Sequence, residues 1–255
     1  MRGKHVCLVV VTVVMGWAAL LGADGAVAAE IKLLASAGVR AVVNELIPQF
    51  ERTTGHKVIT DYAAIVVLTR RIQAGETFDI VIPGPELIDD LVKQGKVAAD
   101  TRAAFGRTGI GVGVRKGAPK PDISTPENLK RALLDAKSVG HAKEGLSGVY
   151  FLETLKRLGI QEEMRPKLRA LSGGEEPAAM QKGELDIIAI GMAAIVELPA
   201  TDVLGGLPPE LQSYVKFAIG VSATSKEPEA SRALVRFLTS AAVTPTFTAK
   251  GIERD

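Results

Sequence analysis

The stretch IKLLASAGVRAVVNELIPQF, residues 31–50, changes from one apolar pattern to another partway along its length. Residues 31–35 form an apolar run of strand length in which Lys32 is the exception. The apolar residues that follow recur at helical spacing, at Val39, Val42, Val43, Leu46, Ile47 and Phe50. The pattern predicts a β-strand that gives way to an α-helix near Ser36 to Gly38.

The same strand-to-helix pattern recurs twice directly after this stretch. Residues 57–62 predict a strand before a helix over 68–74, and residues 78–82 predict a strand before helical apolar positions from Leu87 to Val92. Three consecutive β-α units indicate a parallel sheet covered by helices. Later segments predict strands at 110–115, 185–190 and 215–222 and helices at 126–134, 149–158 and 230–241. We therefore expect an α/β fold.

Residues 1–29 have the layout of a secretory signal peptide. A basic segment, an uncharged run and a small-residue stretch follow one another as Arg2-Lys4-His5, Val6 to Leu21 and Ala26 to Ala29. The uncharged run is shorter than the roughly 20 residues that a membrane-spanning helix needs. We therefore favour a cleaved signal over a membrane anchor and expect the protein to be exported.

Composition argues against several classes of function. The chain has 31 basic and 29 acidic residues, a net charge of +2, which does not suggest nucleic-acid binding. Its single cysteine, Cys7, lies in the predicted signal, so the mature chain has no disulfide. His56 and His141 are isolated, and metal sites need clustered ligands. We expect neither a metal ion nor a cofactor.

Two glycine-rich segments resemble catalytic motifs only partly. In Gly145-Leu146-Ser147-Gly148-Val149, a valine occupies the position of the second glycine of a nucleophile elbow. The segment 109–117 satisfies neither the dinucleotide-binding fingerprint nor the P-loop pattern, and we interpret it as a glycine-rich strand or hinge. The sequence therefore favours a binding protein over an enzyme.

Several motifs in this order resemble the periplasmic binding proteins of the molybdate-binding type. The resemblance extends from Ile31 to about Glu253. It is carried by IKLLASA (31–37), LTRRIQAG (68–75) ahead of FDIVI (78–82), GVY (148–150), ALVRFL (233–238) and Gly251-Ile252.

The resemblance implies a two-lobed periplasmic-binding-protein fold of type II, with a mostly parallel sheet flanked by helices in each lobe and a two-strand hinge. The first lobe would comprise residues 30–111 and 222–255, and the second lobe residues 112–221. It also implies a monomer in the periplasm that binds a small ligand for an ABC permease at the inner membrane.

The resemblance places the ligand in the cleft between the lobes. Gly38, Val66 and Gly148 each lie where a strand gives way to a helix, and unpaired backbone N–H groups at helix starts bind anions. The expected ligand-binding residues are Ala37, Gly38, Val39, Arg40, Ile65, Val66, Ser147, Gly148, Val149, Tyr150, Ser172 and Ile190.

The chain departs from the molybdate-binding pattern at its ligand contacts. Two serine hydroxyls and one tyrosine hydroxyl of that family align with Gly38, with Ile65 or Val66, and with Ile190. Each lost hydrogen bond to a charged group costs about 1.5–3 kcal/mol. We therefore expect a small organic anion.

Arg40 either pairs with a carboxylate of that anion or is a solvated surface charge, and Tyr150 either closes over the ligand or packs into the second lobe. The alternatives for the function are a molybdate- or tungstate-binding protein, and a periplasmic enzyme or sensory binding protein on the same fold.

Overall fold

The computed structural model describes residues 28–254, so most of the predicted signal peptide, with Cys7, lies outside the described residues. Nine strands in this range form one sheet system. They are β1 (Glu30–Ser36), β2 (Lys57–Ala63), β3 (Ile80–Ile82), β4 (Ala103–Arg115), β5 (Val139–Ala142), β6 (Leu168–Leu171), β7 (Ile187–Gly191), β8 (Thr201–Gly206) and β9 (Tyr214–Val221).

Ten helices are formed in the described range, and most of them follow a strand. They are α1 (Arg40–Thr54), α2 (Ile65–Gln73), α3 (Pro85–Lys93), α4 (Pro126–Asp135), α5 (Leu146–Arg157), α6 (Gln161–Met164), α7 (Glu176–Gln181), α8 (Met192–Ile195), α9 (Pro228–Thr239) and α10 (Thr244–Ala249). Short 3-10 turns are formed by Ala37–Val39, Ala99–Thr101, Arg165–Lys167 and Ala241–Val243.

The first part of the sheet runs in the order β2-β1-β3-β9, continuing into β4. Strands β1, β2 and β3 are parallel, and β9 is antiparallel to both β3 and β4. Because side chains alternate across a strand, Leu33 packs with α1 and α9 whereas Leu34 packs with α2 and α3. Helices thus cover both faces of this lobe.

The second part of the sheet continues from β4 in the order β7-β5-β6. Strands β5, β6 and β7 are parallel, and β4 is antiparallel to β7 and β8. Phe151 of α5 and Leu129 of α4 pack on one face, and Met180 of α7 and Ile195 of α8 pack on the other. This lobe therefore has the same three layers as the first.

Strand β4 joins the two lobes. Its residues from Ala103 to Gly109 pair with β9, and those from Ile110 to Arg115 pair with β7 and β8. The return crossing is the segment 207–213 between β8 and β9. At this crossing the side-chain amide of Gln212 accepts from the Ile110 N–H at 2.9 Å and donates to the Ile110 carbonyl at 3.1 Å.

The observed first lobe contains strand β9, which the expected lobe boundary placed in the second lobe. The boundary implied by the resemblance placed residues 214–221 in the second lobe, whereas β9 pairs with β3 and packs Phe217 and Ile219 into the core beneath α1. An apolar strand pattern does not reveal the partner of the strand, which explains the difference. The other boundary, at residue 111, falls inside β4, beside Ile110.

Candidate functional site

A cavity of about 200 Å³ opens between the two lobes at the ends of their parallel strands. This position agrees with the general rule that ligands of open α/β sheets bind beyond the carboxyl ends of the strands. The first lobe contributes Ser36, Ala37, Gly38, Ala64, Ile65 and Val66. The strands next to the hinge contribute Thr108, Val215 and Phe217, and the second lobe contributes Ala142, Glu144, Gly145, Leu146, Ser147, Glu176, Ile190, Gly191, Ala193 and Ala194.

Three helix starts converge on this cavity. The turn Ala37–Val39 leads into α1, Ile65 and Val66 open α2, and Leu146 and Ser147 open α5. The first amides of a helix have no acceptor within the helix and carry partial positive charge. The arrangement therefore presents backbone donors from both lobes to one small space.

The helix starts at the cavity also lack the side chains that usually neutralise such donors. Helices α2 and α5 have no side-chain cap, and no acidic residue lies in the first turn of α1, α2 or α5. The other described helices of eight or more residues carry an acid there: Glu86 in α3, Glu127 in α4 and Glu229 in α9. The positive helix ends that face the cleft are thus free for an external anion.

Ser36 differs from the residues that precede α2 and α5, because its side chain caps the helical turn that follows it. Its side-chain oxygen accepts from the Gly38 N–H at 3.3 Å, and its side chain is buried at the end of β1. The hydroxyl hydrogen remains free to donate toward the cavity, because the oxygen is the acceptor in that bond.

Two glycines allow the helix starts to approach their neighbours. A β-carbon at Gly148 would lie 2.0 Å from the Ala142 carbonyl oxygen, so only glycine lets α5 begin this close to the end of β5. A β-carbon at Gly38 would lie 2.8 Å from the Phe217 ring. The residue before α5, Gly145, has φ of 94°, a left-handed conformation that side chains disfavour.

Thr108 fixes the floor of the cavity. Its hydroxyl donates to the Gly251 carbonyl at 3.0 Å and accepts from the Ala193 N–H at 3.1 Å. Strand β4, helix α8 and the C-terminal turn are thereby joined by one buried side chain.

Two carboxylates, Glu144 and Glu176, lie on the second-lobe side of the cavity. Glu144 accepts from the Ser172 hydroxyl at 3.3 Å, and Glu176 accepts from the Gly174 N–H at 2.8 Å. Neither forms an ion pair with a described cation. The cavity therefore combines positive helix ends with two acidic side chains.

Arg40 and Tyr62 form a pair beside the first-lobe wall. The guanidinium carbon of Arg40 lies 4.5 Å from the centre of the Tyr62 ring. The Tyr62 hydroxyl donates to Asn44 Oδ1 at 2.6 Å. Burial raises the pKa of Tyr62 to about 12, so the hydroxyl stays protonated at neutral pH.

The structure brings half of the expected site residues to the cavity: Ala37, Gly38, Ile65, Val66, Ser147 and Ile190. Gly148 is buried behind Ala142, and Ser172 reaches the cavity only through its hydrogen bond to Glu144. Val39 is fully buried in the first-lobe core, because the 3-10 turn directs it inward. Arg40 lies on Tyr62, as described above.

Two expected residues of α5 have different surroundings. Val149 is 60% exposed on the surface of α5. Tyr150 packs against the cores of both lobes, so its side chain bridges them. Packing was one of the two roles expected for Tyr150.

Sequence reasoning missed several residues that line the cavity. Thr108 and Phe217 come from strands next to the hinge, and their place in the cleft follows from tertiary structure alone. Glu144 and Glu176 lie in or beside loops, where acidic residues are ordinarily solvated. The uncapped starts of α2 and α5 were readable from the sequence, since Ala64 and Gly145 have no oxygen in their side chains.

Residues 28–254 contain no cluster of three or more His, Cys, Asp or Glu side chains arranged to hold a metal ion. Within the same range, no helix has the length and apolar character needed to cross a membrane.

The sequence matches a known family over nearly all of the described chain. Residues 31–253 match the family model described as bacterial extracellular solute-binding protein. An aconitate isomerase from Pseudomonas sp. is 30% identical over 218 residues, which cover 82% of this chain and 82% of the relative. The molybdate-binding protein ModA of Azotobacter vinelandii is 26% identical over 237 residues, which cover 90% of this chain and 92% of the relative.

Two solved binding proteins have the same fold. The periplasmic molybdate-binding protein of Azotobacter vinelandii superposes with a TM-score of 0.72 at 15% identity, covering 88% of this chain and 99% of that one. The sulfate-binding protein SubI of Mycobacterium tuberculosis superposes with a TM-score of 0.68 at 21% identity, covering 88% of this chain and 86% of that one. At these identities the likeness concerns the fold.

Proposed function

The chain belongs to the bacterial extracellular solute-binding proteins, and from this premise we propose that it captures a small organic anion in the cleft for an ABC-type permease. In this proposal the protein acts as a periplasmic monomer, closes around the ligand by a hinge motion at β4, and releases it unchanged.

The convergence of the three helix starts on one cavity carries this proposal. They come from α1, α2 and α5, lack first-turn acids, and face the same space from two lobes. Anions bind at such positions through backbone N–H groups and the helix dipole. The cavity of about 200 Å³ lies below the roughly 300–1,000 Å³ of sites for drug-sized ligands, which supports a small ligand.

Aliphatic side chains favour an organic anion over an inorganic oxyanion. Ile65, Val66 and Ile190 line the cavity. By the resemblance described above, Ile190 and one of the other two stand where molybdate binders use hydroxyl groups. Methylene groups of an organic ligand contact such walls favourably, whereas a tetrahedral oxyanion leaves them unused. Molybdate or tungstate, held by amides with the Ser36 and Ser147 hydroxyls, is the alternative ligand.

A thermal screen tests the proposal directly. The purified protein would be heated in a calorimeter with molybdate, tungstate, sulfate, phosphate and a panel of mono-, di- and tricarboxylates. A ligand at 100 times its Kd stabilises the folded state by about 2.7 kcal/mol, which raises the midpoint by several degrees. We expect carboxylates to raise it most. If no anion moves the midpoint, the anion-binding proposal is wrong.

Isomerisation of a carboxylate is the second candidate function, and two observations favour it. One relative is named aconitate isomerase, and the carboxylates of Glu144 and Glu176 line the cavity. Moving the double bond of aconitate requires a base to take a proton from the methylene carbon and a proton to be returned to the vinyl carbon. A carboxylate in the cleft can perform both transfers.

Proton NMR in D2O distinguishes the two functions. An isomerase interconverts the isomers of added aconitate and exchanges its carbon-bound protons for deuterium, whereas a transport protein leaves the spectrum unchanged. If turnover is seen, Glu144→Gln and Glu176→Gln identify the base, because the base variant loses exchange while retaining ligand-dependent thermal stabilisation.

A further inference from the structure

We propose that Arg40 is a second anchor at the edge of the cleft and that it selects ligands with two or more carboxylates over ligands with one. This selectivity rests on the proposed function, since it applies to the anion held in the same cleft.

The position of Arg40 follows from the two segments that build the first-lobe wall. Arg40 begins α1 two positions after the lining residue Gly38, and Tyr62 lies two positions before the lining residue Ala64. The Arg40–Tyr62 pair thus belongs to the same two segments as the wall itself. Arg40 is therefore carried by a backbone segment that also forms the cavity wall.

The Tyr62 ring is a fixed platform for the guanidinium. Its hydroxyl donates to Asn44, which lies one turn after Arg40 on the same helix, and its ring packs against the first-lobe core. A guanidinium over an aromatic ring keeps N–H groups available for other partners. Arg40 is thus restrained before a ligand arrives, and less side-chain entropy is lost on binding.

The charge of Arg40 is uncompensated in the described residues. Arg71, Arg102 and Arg232 each pair with a carboxylate, whereas no described carboxylate forms an ion pair with Arg40. A cation in the first turn of a helix also opposes the positive end of the helix dipole. A bound anion removes both unfavourable features, because it pairs with the guanidinium and the helix end together.

The charges that line the cavity make a second anchor necessary for a polyanion. The charged side chains among its lining residues are the acids Glu144 and Glu176, which repel additional carboxylates. One carboxylate can be held by the backbone amides of the helix starts. A second carboxylate needs a full positive charge, and the fork of Arg40 matches its two oxygens. A monocarboxylate on the amides does not use Arg40.

Isothermal titration with carboxylates of increasing charge tests this selectivity. Acetate, succinate and aconitate would be titrated into the wild type, Arg40→Gln and Lys143→Gln. Lys143 is the matched control, because it is exposed and adjoins the lining residues Ala142 and Glu144. We expect Arg40→Gln to weaken succinate and aconitate about 10- to 100-fold and to leave acetate unchanged. Lys143→Gln should change each affinity less than about threefold.

Three results would overturn the proposal: equal losses for acetate and the polycarboxylates in Arg40→Gln, no loss for the polycarboxylates, or the same losses in Lys143→Gln. Arg40→Lys keeps the charge without the fork and should lose less than Arg40→Gln. A wild-type protein that binds no anion refutes the proposed function instead. Melting midpoints of the ligand-free variants confirm that each is folded.

Discussion

The side chain of Gln212 forms the two hydrogen bonds with Ile110 that a neighbouring strand would form, as acceptor at 2.9 Å and donor at 3.1 Å. A β-carbon at Gly109 or Gly206 would lie 2.8 or 2.7 Å from its amide nitrogen, so both glycines make room for it. The bonds lie where β4 leaves β9 and meets β7. One side chain therefore satisfies the backbone at the junction of the lobes.

Gln212→Glu should destabilise the protein by about 1–3 kcal/mol. The carboxylate can still accept from the Ile110 N–H, but it places a second acceptor against the Ile110 carbonyl, which keeps the Leu207 N–H as a donor at 3.2 Å and loses the amide of Gln212. Urea unfolding measures the change. Gln161→Glu, at an exposed first position of α6, is the control and should be nearly neutral. Equal stability of the two variants would contradict the assigned role.

Gly148→Ala should lower stability by about 1–3 kcal/mol or more, because the new methyl group overlaps the Ala142 carbonyl oxygen. Gly173→Ala is the control, since a β-carbon there meets no atom within 4 Å. Its effect should stay within about 0.5 kcal/mol. The thermal midpoints of the two variants, compared with that of the wild type, test this prediction. A Gly148→Ala variant with an unchanged midpoint would show that α5 can move away from β5.

Stability should fall as the pH is lowered from about 4.5 to about 2. Hydrogen bonds from Arg71 hold the pKa of Glu76 at about 2, against its ordinary value of 4.5. The folded state therefore favours the ionised form of Glu76. The stabilisation is complete above the pKa of Glu76 in the unfolded state, and it is lost as the pH falls through the lower pKa of the folded state. Glu76→Gln should be less stable than the wild type at pH 7 and show a shallower decline in urea midpoint. If the urea midpoints of the wild type and Glu76→Gln declined in parallel as the pH is lowered, this role of Glu76 would be refuted.

Val66→Asp should weaken binding of any anion in the cleft by about tenfold or more. The substitution places a negative charge at the start of α2, where repulsion between charges about 4 Å apart is worth roughly 1–4 kcal/mol. Val66 is 58% exposed, so the ligand-free melting midpoint should change little. Val203→Asp, on the exposed side of β8, is the control for charge alone. If both substitutions changed the affinity for the anion equally, as measured by titration, Val66 would not belong to the binding site.

The apolar spacing was sufficient to predict the first three β-α units, because it is a local property, whereas strands β5, β6 and β8 were not predicted. The helix starts near Gly38, Val66 and Gly148 were predicted for the same reason. Gly38 and Val66 line the cavity, whereas Gly148 lies behind Ala142 and its neighbour Ser147 lines the cavity instead. Val39 was assigned to the site, but the 3-10 turn before α1 directs it into the core. Spacing alone does not distinguish a 3-10 turn from the first turn of an α-helix.

Other features depend on contacts between distant residues. Strand β4 was predicted only from Ile110 onward, since Gly106, Arg107 and Thr108 interrupt the apolar pattern. These same residues pair with β9, and Thr108 reaches the cavity floor. The hydrogen bonds of Gln212 could not be predicted from the sequence either, because its partner Ile110 is 102 residues away.

The late position of β9 has a consequence for protein synthesis. The sheet that begins at residue 30 receives β9 between β3 and β4 only after residue 214 has been added to the chain. A nascent polypeptide ending before that point lacks the partner of β3 and the apolar residues of β9 and α9. The amino-terminal half therefore cannot reach its native state while it is being translated, and its folding must wait for nearly the whole chain to leave the ribosome.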